Sequence, residues 1–172
     1  MRKERLSISE EELTQFAERF LQENYGIQLN IPIKRNNRLR TTLGRYVISH
    51  HQEPLRIEIA GNTLTYGTKE AIIGILKHEC IHFALHMKGV AYKDGQYPFE
   101  TELKKHGAPS TKTQMIGKYY LFRCVKCKME GKSKYKQLFQ HPKKYRTSCC
   151  HAPLTIIGEE VYDGESFYAC EV

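Results

Sequence analysis

The sequence predicts an α+β fold: a mostly helical core with a small antiparallel sheet, followed by a small β module. Three observations predict it. An amphipathic helical segment opens the chain, and three short strand-like segments follow it. A second helix, apolar on most of its circumference, then precedes a basic, cysteine-containing region with strand character.

The elements follow in chain order. Ser9 and Glu12 form a capping-box pattern, and Leu13, Phe16, Ala17, Phe20 and Leu21 recur at helical spacing up to Gly26, a C-terminal cap. Strand-like segments cover Ile31 to Arg35, Leu43 to His50 and Leu55 to Ala60, with turns at Asn36-Asn37 and at Gln52-Glu53-Pro54. The last strand alternates, which places Leu55, Ile57 and Ile59 on one face. A second helix runs from the N-cap Thr68 to Lys88 and stops at Gly89. A shorter one runs from Pro98 to His106 and ends at Gly107. Residues 1–110 are read as the core and residues 111–117 as a linker. Residues 118–172 are read as the second module, with strands at Tyr119 to Arg123 and Leu154 to Ile157 and a basic loop between them.

Composition bounds the function. The chain has 172 residues and a net charge of +8. No apolar run suits a membrane span, and MRKERLSISEEEL has no hydrophobic signal region, so a cytoplasmic chain with no membrane partner is expected. A monomer is expected too. Gly131-Lys132-Ser133 lacks the upstream glycine of a phosphate-binding loop, because Lys126 stands there. Six cysteines in a reducing compartment suit metal ligation better than disulfides.

The charge is uneven. Residues 118–157 hold ten basic side chains and one acidic, whereas residues 158–172 hold five acidic and none basic. Lys132, Lys134, Lys136, Lys143, Lys144 and Arg146 make the basic segment a candidate nucleic-acid surface, with DNA the expected partner. The competing reading is a solvated lysine-rich face. The acidic run from Glu159 to Glu171 is read as a tail able to compete for that surface.

The chemistry sits in GILKHECIHFALHMKG. His78 and His82 are four apart, so on a helix both imidazoles reach one metal ion, while Glu79 lies beside them as a general base. Eight histidines and seventeen glutamates would give this HExxH pattern by chance about 0.04 times in such a chain. Two core histidines satisfied by hydrogen bonds are the alternative. His86 lies two turns past His78 and is read as peripheral, and Cys80 as a small core residue. A catalytic zinc needs a third protein ligand. Asp94, Glu100, Glu102 and His106 are the candidates, and spacing does not choose among them.

HECIH followed by YKDGQYPFETELKKHGAP resembles the SprT-like metalloprotease family. TTLGRY and RIEIA resemble its sheet. Cys124 and Cys127 in CxxC, with the later YRTSCCHAPLTII, resemble its C-terminal zinc ribbon. The family includes the Spartan proteases, which cleave proteins crosslinked to DNA. The resemblance implies a zincin-like core, catalytic zinc on His78 and His82, Glu79 as the catalytic residue and a protein substrate. Relatives place a third ligand, commonly histidine, shortly before a phenylalanine of the next helix. Phe99 resembles that phenylalanine and puts Asp94 at the ligand position. In the ribbon, Thr147 and Cys150 fall where the second cysteine pair is expected. The resemblance therefore implies a structural zinc on Cys124, Cys127, Cys150 and either Cys149 or His151. Cys170 is read as a bystander. The function expected is zinc-dependent peptide hydrolysis at or near DNA, with water activated jointly by zinc and Glu79. The rival is a nucleic-acid-binding protein with an idle core.

Overall fold

The structure is a computed structural model that describes residues 8–110 and 112–170. The chain divides into two compact units, Met1–Met115 and Ile116–Val172. No described helix is long and apolar enough to cross a membrane.

The first unit begins with α1 (Glu10–Tyr25). Its capping box is complete: Ser9 Oγ accepts from the Glu12 N–H at 3.1 Å, and the Ser9 N–H donates to Glu12 at 2.8 Å. Gly26 ends the helix with φ +66°, a conformation that favours glycine. Leu13, Ala17, Phe20 and Leu21 are its buried stripe. Three strands follow: β1 (Ile33–Asn36), β2 (Gly44–Ile48) and β3 (Pro54–Ala60). A short helix, α2 (Gly61–Tyr66), then leads into α3 (Lys69–Met87) and α4 (Tyr97–His106). Helix α3 starts at Thr68, whose Oγ1 accepts from the Ala71 N–H. It packs against α1, α4, β2 and β3. That four-sided burial explains why its apolar residues do not confine themselves to one face.

The sheet differs from the expectation of a purely antiparallel one. Its order is β1-β3-β2, with β2 antiparallel and β1 parallel to β3. The physical reason is the connection from Asn37 to Leu43. Asn36-Asn37 does not close a hairpin; Asn36 Oδ1 instead accepts from the Arg38 N–H. The chain then reaches the far edge of β3, where the Ala60 N–H donates to the Leu43 carbonyl. The β2–β3 hairpin closes around Ser49, so β1 and β3 run the same way. Leu55 also departs from expectation. The register shifts at Val47/Ile48, and Leu55 is 42% exposed while Ile57 and Ile59 are fully buried. Helix α2 was not anticipated, because its N-cap Ala60 makes no side-chain cap that would mark a helix start.

The second unit is a four-stranded antiparallel sheet, order β5-β4-β6-β7. Strand β4 (Gly117–Cys124) is flanked by β5 (Glu130–Ser133) and β6 (Leu154–Tyr162), and β7 (Phe167–Ala169) pairs with β6. Tyr119, Tyr120, Leu138, Leu154 and Val161 are buried in it. Two expectations are corrected here. The basic loop contains β5, a short helix α5 (Lys136–Gln140) and a 3-10 turn at Pro142–Lys144. The acidic run is not a free tail: Glu159 and Glu160 lie within β6 and face lysines, Glu159 with Lys118 at 3.6 Å and Glu160 with Lys132 at 2.5 Å. Strand pairing with β4 overrides the poor strand propensity of those glutamates. Glu171, the end of that run, lies outside the described residues.

Candidate metal centres

His78, Glu79 and His82 are all buried on α3. The His78 and His82 Nε2 atoms are 3.1 Å apart, and Asp94 Oδ1 lies 3.3 Å from the first and 3.5 Å from the second. Each ring turns its other nitrogen to a carbonyl oxygen: His78 Nδ1 to Pro109 at 2.8 Å, and His82 Nδ1 to Tyr92. A carbonyl only accepts, so each Nδ1 carries the proton. Both Nε2 atoms then present lone pairs to one another and to a carboxylate. Three acceptors converging on one point repel unless a cation joins them. Zinc–ligand distances of about 2.0–2.1 Å in a tetrahedron put ligands about 3.3 Å apart, so the donor set fits zinc.

The surroundings hold this arrangement. Phe99 of α4 stacks on the His82 ring at 4.0 Å and meets His78 edge-on at 5.1 Å. Burial lowers the His82 pKa to about 4, which keeps the imidazole neutral and its Nε2 free to ligate. Burial raises the Glu79 carboxyl to about 8, and nearby Asp94 adds to this, while the Tyr46 backbone N–H opposes it. Gly44 brings β2 close to this carboxyl. A Cβ there would lie 3.1 Å from Glu79 Oε1 and 3.0 Å from the Ile75 side chain. The four residues open into a cleft of about 520 Å³, whose walls include Thr42, Tyr46, Ile48, Tyr92, Ser110 and Met115.

The other candidates for third ligand are engaged elsewhere. Glu100 accepts from the Gly95 N–H at 2.9 Å. Glu102 accepts from the Tyr25 hydroxyl at 2.7 Å and pairs with His106, which packs on Phe20. His86 Nδ1 meets the Tyr46 hydroxyl at 2.7 Å, and its ring stacks on Tyr92. Cys80 is fully buried. Sequence reasoning missed the Pro109 and Tyr92 carbonyls, since a backbone acceptor leaves no side-chain signature. It also missed Gly44, whose place inside a strand was the available signal.

In the second unit, the sulphurs of Cys124, Cys127, Cys149 and Cys150 all lie within 4.8 Å of one another. Cys127 and Cys149 are 3.4 Å apart. Zinc–sulphur bonds of about 2.3 Å in a tetrahedron put sulphurs about 3.8 Å apart, so these four thiols also suit a metal. The structure brings Cys149 into the group; His151 is exposed and is not part of it. Thr147 is buried beside it and donates its hydroxyl to Cys124 Sγ at 3.3 Å. That bond, with backbone donors from the Cys127 turn, lowers the Cys124 thiol to about 6, whereas the crowding thiols, Cys127 first, raise Cys150 to about 12. Cys170 is not part of the cluster.

The basic residues do not form a uniform surface. Lys136, Lys143, Lys144 and Arg146 are exposed. Lys132 is tied to Glu160 and sits over the Phe167 ring at 3.7 Å. Lys134 is half-buried, with its ammonium 3.4 Å from the Ile116 carbonyl.

Two separate side-chain groups, one histidine–carboxylate and one tetrathiol, define a class of mixed α+β proteins able to hold metal at two centres. Comparison with known proteins narrows this. The SprT-like family model matches residues 10–114. A "Protein SprT-like" of Bacillus velezensis is 30% identical over 154 residues, 86% of this chain and 97% of that protein. Those of Bacillus cereus G9842 and Bacillus subtilis 168 are 34% and 32% identical over 72% and 69% of this chain, and 82% and 78% of their own lengths. No solved structure matches the chain. The chain belongs to the SprT-like family.

Proposed function

We propose that the protein is a zinc-dependent peptidase of the HExxH type, with a zincin-like core, that acts on proteins at or near DNA. One observation carries the peptidase reading. Two imidazole lone pairs and the Asp94 carboxylate converge beside a buried glutamate in the wall of a cleft. His78, His82 and Asp94 would hold a zinc ion, which would supply a Lewis acid for the scissile carbonyl and acidify a water.

The protein's own groups do the rest. The carbonyls of Pro109 and Tyr92 hold both imidazoles in the ligating tautomer, and Phe99 fixes their planes. The charge of a zinc ion beside it would ionise the Glu79 carboxyl, and as a carboxylate Glu79 takes the proton from the attacking water and returns it to the leaving nitrogen. Its buried position, under Gly44, keeps it close and dry. Strand β2 lines the cleft and is an edge strand of its sheet, so an extended peptide can add to it by backbone pairing.

The second unit carries a structural zinc on Cys124, Cys127, Cys149 and Cys150, and its exposed Lys136, Lys143, Lys144 and Arg146 contact DNA. The net charge of +8 supports a polyanionic partner. Six free thiols suit the cytoplasm, where the protein acts as a monomer. The test is digestion of an unstructured protein by the zinc-loaded chain, with and without single-stranded and duplex DNA. Chelator-sensitive fragments are expected. Intact substrate under every condition would reduce the chain to a binding protein with an idle centre.

A further inference from the structure

The outer face of the first sheet, away from α3, carries an arrangement that the peptidase reading does not use. Glu58 sits on the central strand β3 and is only 5% exposed. Its carboxylate accepts three hydrogen bonds. Oε2 accepts from Arg45 Nε at 2.6 Å and Asn36 Nδ2 at 2.7 Å, and Oε1 accepts from Arg56 Nε at 2.6 Å. Burial alone would raise its pKa; the bonds from Arg56, Asn36 and Arg45 outweigh that and hold it at about 2. Glu58 is therefore a permanent anion.

One carboxylate needs one cation. Here it holds two, and both are attached through Nε, so the outer Nη groups of each guanidinium have no protein partner among the described residues. Arg38, on the rim of the same concavity, is exposed, and its side chain has no partner among them either. Arg35, Arg38, Arg45 and Arg56 against one glutamate leave surplus positive charge around a hollow of about 620 Å³. A carboxylate that grips two guanidinium groups by their inner nitrogens stops them rotating. It presents their planar forks outward at little further entropic cost.

We propose that this face is an oxyanion site that takes the phosphodiester backbone of a single-stranded nucleic acid, separate from the basic segment of the second unit. Guanidinium forks match the two free oxygens of a phosphate in bidentate fashion. The location argues against a peptide. The backbone groups of β3 are used on both sides by β1 and β2, so an extended peptide would find no main-chain partners on this face. A phosphate backbone is held by side-chain cations and needs none. Arg45 lines both the metal cleft and this hollow, between Gly44 and Tyr46 of the cleft wall, so the two sites adjoin along one strand. If the peptidase reading holds, a protein attached to the bound strand is kept beside the cleft. The binding itself does not rest on that reading.

The test is fluorescence anisotropy of a labelled single-stranded oligodeoxynucleotide with the 172-residue chain carrying Lys136→Gln, Lys143→Gln, Lys144→Gln and Arg146→Gln, so that the core face is read. Adding Arg38→Gln and Arg56→Gln is expected to weaken binding about tenfold and to reduce the salt slope by about 1.4, two single-strand contacts. Glu58→Gln separates a built site from general attraction. It removes a negative charge yet releases the forks, so binding is expected to weaken about threefold; tighter binding would overturn the proposal. Should that variant fail to fold, Arg38→Gln alone is expected to lower the slope by about 0.7. Unchanged affinity and slope in the arginine variants would overturn the site. A glutamate-rich peptide of equal charge, or inorganic phosphate, that displaces the probe as well as unlabelled oligonucleotide would overturn the nucleic-acid assignment. Because the readout is binding, an inactive peptidase would leave this result standing.

Discussion

The two metal-ligand groups are built in opposite ways. In the first unit, His78 and His82 project from a helix packed on four sides, with their outer nitrogens already bonded to carbonyls. In the second, the thiols come from two turns, and Cys127 and Cys149 are exposed. A ligand set on a packed helix is organised before any metal arrives, while one on exposed turns needs the metal to draw it together. The first therefore suits chemistry on a substrate and the second suits holding a fold.

Metal removal should break this comparison most visibly. Structural zinc is worth about 10 kcal/mol or more to small domains, which exceeds what a unit the size of Ile116–Val172 gains from its core. Chelation should abolish hydrogen-exchange protection in β4 and β6 and spare α1 and α3. Protection lost equally in both units, or in neither, would contradict the contrast. The next largest effect concerns Asp94. Asp94→Ala should lower zinc stoichiometry from about two to about one per chain, with the thiol site still filled, whereas Glu102→Ala and His106→Ala should leave it near two. Elemental analysis after desalting reads this directly.

A pH effect follows from Glu79. In the metal-free fold its pKa is about 8, against 4.5 for an ordinary glutamate. A raised carboxyl pKa means stability that is present below about pH 4.5 and is lost as pH rises through about 8. Glu79→Gln should remove that loss. The metal-free variant should melt together with wild type near pH 4 and be more stable at pH 8 and above, by a few kcal/mol. Coincident melting at both pH values would place the carboxyl in a wetter site. The smallest effect is at Thr147. Thr147→Val removes the hydroxyl bonded to Cys124 and should weaken the thiol site by about 0.5–1.5 kcal/mol in a zinc competition assay, with no change in the histidine site.

Much of the first unit was legible in the sequence. Ser9 with Glu12, Thr68, Gly26 and Gly107 marked helix ends through local capping chemistry, and local chemistry is what a sequence displays best. The direction of β1 was not legible, since parallel and antiparallel pairing use the same side chains and only the path from Asn37 to Leu43 decides between them. At the metal group, the HExxH pattern located two donors and the base. The approach of Asp94 depended on how the loop after α3 folds back, and the carbonyls of Pro109 and Tyr92 carried no signature. Charge was the least legible property. Lys132 and Lys134 read as free cations, yet strand pairing places Glu160 against one and burial claims the other.

We propose Glu79 as a catalytic base in a site whose metal is held by other residues. Glu79→Gln tests it most directly when zinc content and digestion of an unstructured protein are measured on one preparation. Zinc is expected at the wild-type stoichiometry with a rate lower by at least about 10²-fold, since the amide cannot accept the proton of the attacking water. Digestion at the wild-type rate with full zinc would contradict it.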